Sequence, residues 1–195
     1  MIMADPPWRF DLFSTKGEGK APQGQYACMP LDDIACLPVS ALASENSVLM
    51  LWATNPMLPQ ALQVMEQWGF TFKTAGTWIK RTVHGKDAFG TGYVFRSSNE
   101  PILIGTRGRP KTARTVRSAV ASYEPPDLPK AGEGWPTSTL TIEAVAREHS
   151  RKPDEAFDAA ERLLPAAARI ELFSRQTRPG WASWGHEAGK FDLAV

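Results

Sequence analysis

The sequence predicts an α/β domain built on a largely parallel sheet. Two observations carry that prediction: short β-prone runs recur along the chain, and stretches with helical spacing of apolar residues fall between them. A third bounds the size. With 195 residues, 43% of them hydrophobic, the chain buries a substantial core and fits one domain over residues 1–195 better than two.

The β-prone runs are Ile2 to Ala4, Val48 to Thr54, Phe70 to Lys80, Pro101 to Thr106, Thr139 to Ala146 and Arg169 to Phe173. Between the second and third, Leu58, Ala61, Leu62, Met65 and Trp68 recur at helical spacing, and Gly69 supplies a stop. A second helix is signalled by Pro153 at the first turn, acidic Asp154 and Glu155, an apolar face of Phe157, Ala160 and Leu164, and a stop at Pro165. Alternating strands and helices of this kind place ligands at the carboxyl ends of the strands. Three long stretches read as loops, Phe10 to Pro30, Arg81 to Asn99 and Arg107 to Ser138, and loops of that length in a compact domain carry function or motion.

Charge and cysteine content narrow the setting. A formal net charge of +1 neither demands nor excludes a polyanionic partner, so any nucleic-acid footprint is local. Arg107, Arg109, Lys111, Arg114 and Arg117 form such a local basic run, which reads either as a phosphate-binding stripe or as a solvated charged face. Cys28 and Cys36 are the only cysteines, without His or Cys clusters at metal-ligand spacing, so no metal is expected and a reducing cytoplasm is the simplest setting. The longest apolar run, Val48 to Ala53, is far short of a membrane span.

Asp5-Pro6-Pro7-Trp8 follows the first β-prone run, which puts Asp5 at a strand's carboxyl end, facing the ligand crevice. That placement suits chemistry on an aromatic amine. The amine is a poor nucleophile because its lone pair is delocalised into the ring, and localising the pair requires acceptors for both N–H protons in fixed geometry. The Asp5 carboxylate accepts one and the Pro6 carbonyl the other. Consecutive prolines fix φ and remove donors, which leaves that carbonyl rigid and with little local competition. Trp8 offers a flat face on which a base stacks, worth roughly 1–3 kcal/mol. The plainer reading of the same residues is a Pro-Pro turn with Trp8 in the core.

The motif and its surroundings resemble the adenine-amino methyltransferases named after the seventy-kilodalton subunit of the mRNA methyltransferase, the MT-A-seventy family. The similar segments run in order through nearly the whole chain: Ala4 to Phe10, Tyr26 before a Leu-Asp-Asp helix start, Leu51-Trp52-Ala53-Thr54, Trp78-Ile79-Lys80 and Gly90 to Tyr93. Asn99-Glu100, Arg147 to Glu155, Ile170 to Arg175, Gly180-Trp181 and Trp184-Gly185 follow.

The resemblance implies a Rossmann-like methyltransferase fold with helices on both faces of the sheet, in which the catalytic motif precedes the main cofactor segment. It implies S-adenosylmethionine as methyl donor, S-adenosylhomocysteine as product, and Asp5, Pro6, Pro7 and Trp8 as the catalytic set. Asp5 then also reaches the donor's amino group. Lys152 pairs with the donor's carboxylate, Arg175, Thr177 and Arg178 contact its ribose and carboxylate, and His186 and Glu187 stand where relatives hold the ribose hydroxyls. Tyr26 matches the family's substrate-loop tyrosine. Read from their own positions rather than from the resemblance, Glu100 starts a strand and either lines the base pocket or is a solvated strand end, His149 supports Lys152, and Arg107, Arg109 and Lys111 belong to the basic run and contact phosphate in its phosphate-binding reading. Relatives carry a further strand-forming stretch upstream of the motif that contacts the donor's adenine. Here four residues precede Asp5, so either the start is misplaced or C-terminal residues alone hold that adenine.

Trp52, Trp78, Trp181 and Trp184 lie in or beside apolar strands and read as core. The function expected is methylation of adenine in nucleic acid, DNA before RNA, by a monomer or homodimer, with a heterodimeric partner as a further option. Two other readings stay open: an inactive nucleic-acid-binding partner of an active subunit, and an amino methyltransferase acting on cytosine or a small molecule.

Overall fold

The computed structural model describes residues 1–9, 27–88, 90, 94–113, 116, 141–146 and 151–192. Its strands are β1 (Ile2–Ala4), β2 (Ser47–Trp52), β3 (Thr71–Arg81), β4 (Asn99–Arg107), β5 (Thr141–Val145), β6 (Ile170–Leu172) and β7 (Ala182–Trp184). They form one sheet in the order β5-β3-β4-β2-β1-β6-β7. β1 is parallel to β2 and β6, β6 to β7, and β3 to β5. Among the described strands only β4 runs the other way, antiparallel to both β2 and β3.

The central strands are apolar on both faces because both faces are covered. Leu49 and Leu51 of β2 enter one core cluster with Ile34, Val39, Ala61 and Val64, whereas Val48, Met50 and Trp52 enter the other with Ala156, Phe157 and Ala160. The first cluster is capped by helices α1 (Leu31–Ala35), α2 (Val39–Leu42) and α3 (Leu58–Gln67), the second by α4 (Asp154–Leu163). Helices therefore sit on both faces of a mostly parallel α/β sheet, as the sequence predicts. No described helix is long and apolar enough to cross a membrane.

α3 ends as the sequence demands. Gly69 takes φ 82°, the Phe70 N–H reaches the Met65 carbonyl at 3.0 Å, and the Gly69 N–H reaches Glu66 at 2.9 Å, closing a Schellman motif. Its buried stripe is Ala61, Val64 and Met65, while Leu62, expected inside, is 41% exposed. The stretch from Arg81 to Asn99 is the connection of the antiparallel β3–β4 pair. β7 carries no periodic signal, since three residues are too few for alternation to show.

Candidate active site

One edge of the sheet collects the chemistry. Asp5 follows β1, Phe173 to Arg175 follow β6, and Gly185 to Glu187 follow β7, all at carboxyl ends of parallel strands. Because β4 is reversed, its first residues Asn99 and Glu100 arrive at the same edge, beside Trp78 and Ile79 near the end of β3.

The Pro-Pro turn is closed locally. The Trp8 N–H donates to the Pro6 carbonyl at 2.7 Å, and the Met29 N–H donates to the Pro7 carbonyl at 3.0 Å. The expectation that the Pro6 carbonyl has little local competition is thus corrected: one lone pair is engaged by Trp8, leaving the second for a ligand. Trp8 is 3% exposed, and its indole N–H donates to the Trp52 carbonyl at 3.0 Å. Its ring belongs to the core and does not line the cleft, so the stacking plate expected there is absent in this arrangement; the indole instead ties the turn to the end of β2.

Lys152, one residue ahead of Pro153 and α4, bridges two carboxylates. Its Nζ lies 2.7 Å from Asp5 Oδ2 and 3.3 Å from Glu100 Oε2, and 5.2 Å from the centre of the Trp52 ring. Lys80 holds the other Glu100 oxygen at 2.6 Å and stands 5.0 Å from the Trp78 ring centre. Burial raises the Asp5 carboxyl, and Lys152 only partly offsets it because Glu100 adds a like charge. Burial also pushes Glu100 up, but the two ammonium groups outweigh it and hold Glu100 at about 2. The site thus pairs a firmly ionised glutamate with an aspartate whose charge depends on Lys152.

Two concavities meet at Asp5, Phe173 and Arg175, which line both. The smaller holds Arg151, Lys152, Arg178 and Glu171. Burial pushes Glu171 up to about 7, against the Ser174 hydroxyl bond at 2.8 Å and the nearby Arg178 charge. Arg178 also pairs with Asp154 and lies 3.7 Å from the centre of the Phe157 ring. The larger cleft, about 660 Å³, adds Pro6, Pro7, Met29, Trp184, His186 and Glu187, a size within the usual range of small-molecule sites. Glu187 accepts from Lys190 and Arg175, and these bonds keep its carboxyl low and ionised.

Of the residues expected from sequence, Asp5, Pro6, Pro7, Lys152, Arg175, Arg178, His186 and Glu187 line these two concavities, with Glu100 joined to them through Lys152. Thr177 is bound to Asp192 through both its N–H (2.7 Å) and its hydroxyl (2.8 Å) and lines neither. Tyr26, His149, Arg114 and Arg117 lie outside the described residues.

Arg107, Arg109 and Lys111 are not brought to the site. Arg107 pairs in register with Ser47, at the start of β2, and so sits at the opposite edge of the sheet. Its guanidinium donates to the Ser40 carbonyl, the Arg109 N–H donates to Asn46, and Lys111 lines a separate hollow with Met1 and Ala168. The reversed direction of β4, invisible in the sequence, separates these three from Asp5.

Sequence reasoning missed Glu171, Phe173 and Trp184. The first two lie inside the quoted Ile170 to Arg175 segment without a role of their own; Trp184 read as core but is 50% exposed at the cleft. Its placement two residues before His186 is the signal that pointed there.

The sequence profile of the MT-A70 family matches residues 1–187. The chain belongs to the MT-A70 family. It is 25% identical to "Type II methyltransferase M.MunI" from Mycoplasma sp, over 96% of this chain and 76% of that protein. It is 27% identical to the "N(6)-adenosine-methyltransferase MT-A70-like" protein of Arabidopsis thaliana, over 96% of this chain and 23% of the other. It is 26% identical to human "N(6)-adenine-specific methyltransferase METTL4", over 98% and 38% respectively. The chain thus spans most of the first relative and well under half of the other two.

Proposed function

We propose that this MT-A70 chain transfers a methyl group from S-adenosylmethionine to the exocyclic amino group of adenine in nucleic acid, with DNA preferred over RNA. The observation that carries the reading is the position of Asp5, shared between a cation-lined hollow and a larger cleft floored by Pro6 and Pro7.

The two concavities fit a zwitterionic nucleoside. Lys152, Arg175 and Arg178 offer cations for its carboxylate, the ionised Glu187 accepts from ribose hydroxyls, and the cleft receives the purine. When bound, this donor supplies an electrophilic methyl group. Asp5 accepts one N–H of the target amine and the remaining lone pair of the Pro6 carbonyl accepts the other, which localises the nitrogen lone pair. Lys152 stays within reach of Asp5 to keep it ionised. No strong base is required, because the alkylated amine sheds its proton readily. A base in duplex leaves the stack first, at roughly a few kcal/mol.

DNA is favoured because a relative of which this chain covers 76% is named a type II methyltransferase. Incubation with labelled donor and matched DNA and RNA pools, followed by nucleoside identification by mass, tests both points. Methylated adenine from DNA is expected, lost in Asp5→Ala with folding retained. Label on cytosine alone, or none in any pool, would sink the reading; label in RNA only would overturn the preference.

A further inference from the structure

Trp184 ends the edge strand β7, in register with Leu172 of β6. Its ring meets Phe173 edge-on at 5.5 Å between centroids and 70° between planes, yet the residue stays 50% exposed. Both rings line the larger cleft, and Phe173 lines the cationic hollow as well. Phe173 is held at φ 61°, a left-handed conformation that a bulky residue adopts only where its surroundings impose it, and such outliers cluster at ligand sites. Here the strain fixes an aromatic ring at the junction of the two concavities and braces Trp184 beside it.

We propose that Trp184, braced by Phe173, is the surface on which the purine of an adenosyl ligand stacks, and is the main apolar determinant of affinity for that ligand. This rests on the methyl donor assigned above. A ligand whose carboxylate sits on the Arg175 and Lys152 side must pass Phe173 to enter the cleft, where Trp184 is followed directly by Gly185, His186 and Glu187. An exposed indole face beside an ionised carboxylate matches a flat, π-rich base joined to a diol. This assignment gives the donor's adenine a seat built from the C-terminal segment.

Calorimetric titration of S-adenosylhomocysteine and of methylthioadenosine, which keeps purine and ribose but lacks the carboxylate, tests it. Trp184→Ala is expected to weaken both ligands by roughly tenfold or more, whereas Trp184→Phe holds within about threefold. Arg178→Met, by contrast, is expected to weaken S-adenosylhomocysteine alone. Trp184→Leu, which keeps apolar bulk without a π-face, replaces the alanine variant if that fails to fold, and is expected to lose affinity for both. Wild-type affinity in folded Trp184→Ala or Trp184→Leu overturns the proposal. So does intact S-adenosylhomocysteine affinity with a raised KM for nucleic acid, which puts the target base on this wall. Absence of S-adenosylhomocysteine binding in the wild type overturns the donor assignment itself.

Discussion

The Lys152 ammonium lies 2.7 Å from Asp5 Oδ2, and this contact favours the ionised form of the group proposed to hold the target amine. Burial raises the Asp5 carboxyl, and Lys152 is its largest counterweight. Lys152→Met therefore moves Asp5 further up. In the proposed mechanism activity needs the ionised carboxylate, so it is expected above the Asp5 pKa and lost as pH falls through it. The acid limb of kcat/KM is expected at higher pH in Lys152→Met than in wild type. A pH profile at saturating donor checks this, and a limb in the same place removes Lys152 as the group controlling Asp5.

Glu171 makes folding stability depend on pH in the opposite sense to an ordinary ion-paired carboxylate. It is 8% exposed and pushed by burial up to about 7, from an ordinary value of 4.5. Between those values the folded chain holds a proton that the unfolded chain has released, so this contribution is full at low pH and is lost as pH rises through about 7. Its size is on the order of 3 kcal/mol. Urea unfolding at pH 5.5 and pH 8 is expected to show wild type losing stability relative to Glu171→Gln at the higher pH. Parallel behaviour of the two proteins would show that Glu171 does not titrate in this window.

The legible parts of this chain are those fixed by local chemistry. Gly69 marked the end of α3 because the left-handed turn there needs it, and the apolar runs of β1 and β2 read as strands because both faces are buried. Asp5 was legible from its place after an apolar strand, and Lys152, Arg175 and Glu187 only through the resemblance to the family, which survives without knowledge of strand direction. What failed depended on the neighbours. The direction of β4 sends Arg107 to the edge away from Asp5, the burial of Trp8 follows from the Trp52 carbonyl above it, and the exposure of Trp184 follows from β7 being the last strand of the sheet. The raised Glu171 pKa likewise needs the tertiary burial of its carboxyl, which outweighs the Ser174 hydroxyl and the Arg178 charge and cannot be read from the sequence.

Trp8 separates a structural role from a stacking role. Its ring is 3% exposed and its indole N–H satisfies the Trp52 carbonyl, so Trp8→Phe removes a buried hydrogen bond and leaves an acceptor short. That costs about 1–3 kcal/mol. Denaturant titration is expected to show this loss with little change in KM for nucleic acid. Unchanged stability with a raised KM would restore the stacking role read from the motif.

Gly185 is where the cleft tolerates no side chain. A Cβ added there would lie 2.6 Å from both the backbone nitrogen and oxygen of Ser174 and 2.8 Å from the Phe173 carbonyl carbon. None of these atoms can swing aside, because the Ser174 N–H is bonded to the Trp184 carbonyl at 2.9 Å and the Ser174 side chain is fully buried. Gly185→Ala must therefore part β6 from β7 and carry Trp184, His186 and Glu187 off the wall they line. Overpacking of this kind costs roughly 1–3 kcal/mol, and the larger expected effect is on ligand affinity, with S-adenosylhomocysteine binding reduced at least tenfold by the displaced wall. Gly90→Ala is the control, since among the described residues its added Cβ meets nothing closer than the Ser97 carbonyl at 3.9 Å. Thermal melts and calorimetry on the two variants decide it: near-native affinity in Gly185→Ala would mean that the β7 exit moves without cost and does not shape the cleft.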